Sequence, residues 1–182
     1  MKGVVFKMND VMKAMLERRS IRRYTDEMPS EGMINDIITC GLYAASGRNF
    51  QCVKIIAVTN KEKRDQIAEV NRQIGGWDEG FDPFYGAPVI LIVIADKTKP
   101  NHVYDGSLVM GNLMLAAHSL GLGGCWIHRA KQEFEGDFGK NMLEELGITG
   151  EWEGIGHLAL GYTDGENPQA PERTPDRVYY IK

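Results

Sequence analysis

The chain has 182 residues, 43% of them apolar and 25% charged, and a formal charge of −4 from 21 basic and 25 acidic side chains. That length suits one globular domain, and the acidic balance excludes the broad positive field that sequence-independent nucleic-acid binding needs. The longest apolar run, Val89 to Ala95, falls well short of the roughly 20 residues that cross a bilayer, so no membrane partner is expected.

Val11, Met12, Met15 and Leu16 recur at helical spacing behind Asn9 and Asp10, either of which can cap, so a helix is predicted over 9–18. It delivers R-R-S-I-R-R-Y, Arg18 to Tyr24. If that stretch is extended, Arg18, Ser20 and Arg22 share one side and Arg19, Ile21 and Arg23 the other. One side then offers guanidinium, hydroxyl and guanidinium, donors suited to phosphate oxygens. The competing reading is a helix C-terminus decorated with cations.

Ser30 is a plausible N-cap for a second helix whose apolar stripe is Met33, Ile34, Ile37, Ile38, Leu42 and Ala45, ending near Ser46-Gly47. The loop Ser46-Gly47-Arg48-Asn49-Phe50-Gln51 carries two side-chain amides, which suit either the edge of a planar heterocycle or an ordinary turn. Val53 to Val58 reads as a strand, Lys61 to Ile74 as a helix closed by Gly75-Gly76, and Val89 to Ala95 as a strand buried on both faces. Between the last two, Trp77, Phe84 and Tyr85 lie in or beside Gly-rich sequence and suit a mobile lid or a packed aromatic patch.

Val103 to Leu120 is apolar nearly all round, as for a helix buried on several sides; Gly121 and Gly123 end it, and Gly124 to His128 is a further strand. The glycines there form no dinucleotide fingerprint, because G-x-G-x-x-G directly after a strand is missing. A helix over Phe134 to Leu146 and a strand over Ile155 to Tyr162 follow. Beyond Asp164 a polar tail ends in Val178-Tyr179-Tyr180-Ile181, a strand-like segment that needs a sheet edge, a candidate being that of another chain.

Cys40, Cys52 and Cys125 are odd in number and lack ligand spacing, which reads as buried free thiols in a reducing, cytoplasmic setting. The opening M-K-G-V-V-F-K has neither a long apolar core nor a small-residue cleavage site, so no secretory leader is expected. His102, His118 and His157 have no ligand spacing to one another and read as structural or exposed, whereas His128 is a candidate to line a site.

Arg-Arg-Ser-Ile-Arg after the first helix, Ser-x-x-Asn-x-Gln before a strand, Ala87-Pro88 opening an apolar strand, Leu-Gly-Leu-Gly-Gly-Cys-Trp-Ile, and Leu-Gly-Tyr followed by a Pro/Arg tail together resemble the FMN-dependent nitroreductase family. The resemblance runs almost end to end. It implies an α+β fold, a mainly antiparallel central sheet flanked by helices, in an intertwined homodimer with FMN at the interface. Residues 1–182 would be one FMN-binding domain whose tail, 164–182, wraps the partner subunit.

By position, the resemblance makes Arg18, Arg19, Ser20 and Arg22 the flavin-anchoring stretch, with Arg18 and Ser20 toward the phosphate and Arg22 toward the pyrimidine side of the ring. Asn49 would bond the polar ring edge beside Gln51, the backbone around Ile127, His128 and Arg129 would approach flavin N5, and Arg173 would be the tail cation. Departures from the family pattern are Pro171, where many relatives carry a second tail cation, Cys52-Val53 in place of Pro-Trp, and His128 where some carry an acid. They bear on substrate preference more than on flavin binding. The implied activity is electron transfer from NADH or NADPH to a nitroaromatic, quinone or similar small-molecule acceptor by a ping-pong mechanism, with no catalytic side chain and no metal. The alternative is a non-catalytic protein of the same fold that binds or sequesters flavin.

Overall fold

The structure is a computed structural model and describes residues 8–182. Helix α1 (Asp10–Glu17) starts where the Asn9 side chain accepts from Met12 N at 2.9 Å, and α2 (Glu31–Leu42) where Ser30 Oγ accepts from Met33 N at 3.3 Å. Both caps satisfy amides that the first helical turn leaves without partners. Next come β1 (Val53–Val58), α3 (Lys61–Gly75), β2 (Val89–Asp96) and α4 (His102–Ser119). Then follow β3 (Gly123–Ile127), α5 (Ala130–Glu135), α6 (Asp137–Glu145) and β4 (Trp152–Gly161).

The strands form one sheet in the order β1-β2-β4-β3, every neighbouring pair antiparallel. Alternate residues of β2 feed two apolar clusters: Ile90, Ile92 and Ile94 meet Ile67, Phe84 and Phe134 on one face, and Val89, Leu91 and Val93 meet Ile37, Met110 and Leu113 on the other. A strand covered on both faces must read as a continuous apolar run, which is how V-I-L-I-V-I-A reads. The α+β class and mainly antiparallel sheet are therefore as expected.

Several local expectations are corrected. The helix expected over Phe134 to Leu146 is two helices, because Gly136 turns to extended backbone (φ −81°, ψ 172°). A Cβ at Gly139 would stand 2.5 Å from both the Glu133 carbonyl oxygen and Phe134 Cα, so the missing side chain lets α6 fold back against α5. Helix α2 stops at Leu42, leaving Ala45 outside it. Helix α4 is not covered all round, since Val103, Tyr104 and Leu108 are exposed. Cys40 is exposed, whereas Cys52 and Cys125 are buried. Residues 165–182 are exposed throughout and contain no strand, so Val178 to Ile181 lies on no sheet edge among the described residues.

Candidate functional site

The arginine stretch lies along the open edge of β3. Ser20 forms a parallel bridge with Gly124, Ile21 N donates to the Gly124 carbonyl at 3.2 Å, and the Tyr24 hydroxyl donates to the carbonyls of Ile21 (2.8 Å) and Ala159 (3.1 Å). Gly123 permits this approach: a Cβ there would meet Ile21 Cβ at 2.9 Å and Thr163 Oγ1 at 2.8 Å. Ile21 packs in the core cluster that includes Cys125, and Arg22, Ser20 and Arg18 all act on that thiol. Burial pushes that thiol up, against the opposing pull of Arg22, a Ser20 hydrogen bond and Arg18.

Among the described residues Arg18 Nη1 is buried without a hydrogen-bond partner, an expensive state for a guanidinium donor unless a ligand completes it. Arg19 faces differently. Its Nη1 donates to the carbonyls of Leu16 and Arg18, each at 2.7 Å, closing the end of α1, while its Nε is buried and unpartnered. Arg22 and Arg23 are exposed. The cleft beside Ser20 to Arg23, also lined by Thr163, Asp164, Glu166 and Pro168, holds about 140 Å³. Small-molecule sites run to about 300–1,000 Å³, so this cleft by itself is too small to be one.

Asn49 and Gln51 sit in a loop of unusual backbone: Arg48, Asn49 and Gln51 have φ of 52°, 56° and 47°. Left-handed backbone at non-glycine residues persists only where surrounding contacts over-determine it. Here the anchor is Asp105 of α4, itself 4% exposed, which accepts from Ser46 Oγ at 3.0 Å and from Gly47 N. Ser46 Oγ in turn accepts from Gln51 N at 2.9 Å, and Gln51 Nε2 donates to Asn49 Oδ1 at 3.0 Å. Cys52 Sγ completes the cluster at 3.5 Å from Asp105; burial and then Asp105 push its thiol up.

These two groups of residues are not brought together within one chain. Asp105 lies in the first turn of α4, whereas the Gly123-Gly124 edge that carries Ser20 follows the last turn, and the helix between them rises about 1.5 Å per residue, roughly 20 Å in all. Arg173 belongs to the exposed tail.

The third candidate segment is the turn from β3 into α5. Ile127 is 7% exposed and packs in the core, so only its backbone is available, while His128 is exposed with its ring 6.0 Å from that of Trp126. Arg129 adopts a left-handed conformation (φ 82°) and lays its guanidinium 4.1 Å over the Trp77 ring. Behind the turn lies a polar cluster that the sequence reading did not assemble. Asn71 Nδ2 donates to the His128 carbonyl at 2.9 Å and to Glu133 Oε1 at 2.7 Å, and His157 Nε2 lies 2.8 Å from Glu133 Oε2. All three side chains are buried, at 0%, 2% and 0% exposure. A signal existed: Asn71 stands four residues after Ile67 and seven after Arg64, on the buried stripe of α3.

The aromatic segment is fastened rather than free. Phe84 is fully buried against His157, and Asp82 accepts from Phe84 N and Gly86 N while pairing with Arg64, which also donates to the Ala87 carbonyl at 3.0 Å. Arg72 holds the Trp77 carbonyl. Among the described residues no group of three or more His, Cys, Asp or Glu could hold a metal, and no helix is long and apolar enough to cross a membrane.

The model of the Nitroreductase family matches residues 15–75 and 76–162. The chain is 35% identical, over 99% of its length and 91% of the relative's, to a Methanothermobacter thermautotrophicus protein classed as an NADH dehydrogenase/NAD(P)H nitroreductase. It is 28% identical, over 94% of its length and 72% of the relative's, to an NADPH-flavin oxidoreductase of Vibrio harveyi. A nitroreductase with bound FMN from Desulfitobacterium hafniense superposes with a TM-score of 0.83 at 26% identity, covering 96% of this chain and all of that one. A match that spans both the arginine stretch and the last strand leaves neither fold nor kinship open: this chain belongs to the nitroreductase family.

Proposed function

We propose that this protein is an FMN-dependent oxidoreductase that passes electrons from NADH or NADPH to a nitroaromatic, quinone or similar small acceptor, working as a cytoplasmic homodimer. The observation that carries the reading is a buried Arg18 Nη1 with no acceptor among the described residues, on a stretch that also carries Ser20 and Arg22. That donor set fits a phosphate monoester: forked guanidinium donors with a hydroxyl between them. Arg19, which the family pattern includes, would bring its Nε, buried and without a partner among the described residues.

When bound, the flavin would supply the chemistry, accepting a hydride at N5 from reduced nicotinamide and returning electrons to the acceptor once the nicotinamide has left, a ping-pong order. The chain's own task is to bind and orient. Arg22 places a permanent positive charge where negative charge develops on the pyrimidine side of the ring. Asn49 and Gln51 would offer amide groups to the polar ring edge, and the Ile127 to Arg129 backbone would serve the N5 side. Arg173 adds a cation from the tail.

Two copies are needed for this assignment. The separation along α4 puts Asn49 and Gln51 at the far end from Arg18, and the cleft at Ser20 to Arg23 is too small alone, so a second protomer supplies the missing wall. Val11, Met15, Leu16, Tyr104 and Leu108 leave an apolar surface exposed on α1 and α4. The tail 164–182 has an apolar end without an edge, and β1 has a partner strand on only one side. Residues 1–182 then act as a single FMN-binding domain whose tail clasps its partner.

The test is the absorption spectrum of the purified protein followed by turnover. Flavin bands together with oxidation of NADH or NADPH by a quinone or nitroaromatic are expected. A colourless protein that takes up no FMN would overturn the reading, and a yellow protein that oxidises neither nucleotide would make it a flavin-sequestering protein instead.

A further inference from the structure

The buried cluster behind the β3–α5 turn controls the direction of one peptide plane. Asn71 commits both protons of its amide, one to the His128 carbonyl and one to Glu133 Oε1. The other carboxylate oxygen is taken by His157 Nε2, and the His157 ring is fixed in turn by the edge of Phe84, centroids 5.2 Å apart. The His128–Arg129 peptide is trans, so a carbonyl drawn inward toward Asn71 turns the Arg129 N–H outward. That N–H has no acceptor among the described residues, and the left-handed backbone of Arg129 would cost energy if nothing held it. Three side chains from α3, α5 and β4 thus meet to orient one backbone donor.

We propose that Asn71, Glu133 and His157 are positioning residues that, through the His128 carbonyl, hold the Arg129 N–H as a preset hydrogen-bond donor to the flavin. The inference rests on the FMN reading above. None of the three side chains need touch the cofactor, since all are buried and their polar contacts are with each other and with the turn. The amide at position 71 supplies the two N–H donors that bridge the carbonyl and the carboxylate, without adding a buried charge.

The experiment compares FMN titrations of the apoprotein for the wild type, Asn71→Leu and Glu133→Gln, reading Kd, flavin absorption maxima and midpoint potential. Asn71→Leu removes both donors at similar volume and is expected to weaken FMN binding about tenfold and to shift both band and potential. Glu133→Gln keeps an oxygen for Asn71, and its amide can face a His157 of the other tautomer, so it retains most of the affinity. An Asn71→Leu protein that melts like the wild type and matches it in all three readouts overturns the proposal. Should that variant fail to fold, the wild type decides: the Arg129 amide NMR cross-peak is expected to move on FMN addition, and an unmoved peak overturns the assignment. A wild type that binds no FMN at all overturns the flavin reading itself, and this proposal with it.

Discussion

Asp105 holds Gly47 by both carboxylate oxygens, 3.0 and 3.1 Å from the amide nitrogen, and so ties the N-terminal turn of α4 to the loop that carries Asn49 and Gln51. Replacing it by alanine leaves the Gly47 N–H and the Ser46 hydroxyl without their acceptor and releases three left-handed residues. Asp105→Ala is expected to lower stability by about 2–4 kcal/mol in urea unfolding, with Asp105→Asn losing less because one oxygen remains. Equal midpoints for Asp105→Ala and wild type would show that the loop holds itself.

Gly123 tests how tightly the arginine stretch must lie on β3. A Cβ there would collide with Ile21 Cβ and Thr163 Oγ1, so Ile21 has to withdraw from the core. Gly123→Ala is expected to cost about 1–3 kcal/mol. It should also weaken FMN binding, because Ser20 and Arg22 move with Ile21. An unaltered melt would mean that the edge yields freely.

In the proposed site, Arg18 and Asn49 would contribute contacts of different strength: charge-assisted hydrogen bonds from the guanidinium to a phosphate, and only neutral ones from the amide to the ring edge. Arg18→Ala is therefore expected to weaken FMN retention by at least about tenfold and more than Asn49→Ala does. Equilibrium dialysis gives the ranking, and the same flavin occupancy in Arg18→Ala as in wild type would remove Arg18 from the site.

The tail makes a prediction about assembly. Chains ending before Arg173 lose the exposed Val178-Tyr179-Tyr180-Ile181 segment together with the tail cation. Sedimentation velocity is expected to show fewer dimers and the absorption spectrum less flavin. A dimer of undiminished strength would mean that the α1 and α4 faces suffice.

Much of the scaffold was legible along the chain because local rules decided it. Asn9, Ser30 and Asn60 each accept from the amide three residues on, Gly76 closes α3 with φ 67°, and β2 is apolar from end to end. The burial of Ile21 was legible for the same reason, since it is the one apolar residue between Arg18 and Arg23. The helix expected over Phe134 to Leu146 failed at Gly136, where packing of α6 across α5 through Gly139 outweighed the continuous apolar spacing. Of the two readings of Phe84, a lid or a packed aromatic patch, the buried ring fits the second, and Arg64 and Asp82 pin the segment around it.

The sequence by itself determined most of the elements, the apolar strand at the centre and the family, since these follow from short-range periodicity, capping and ordered motifs. Only the tertiary structure decided that Asp105 governs the Asn49 loop, that Asn71, Glu133 and His157 meet behind the His128 turn, and that the two halves of the candidate site lie at opposite ends of α4. The reason is separation along the chain. Asn71 and His157 are 86 positions apart, and whether two buried polar groups satisfy one another depends on how the sheet brings α3, α5 and β4 together, which no local pattern records.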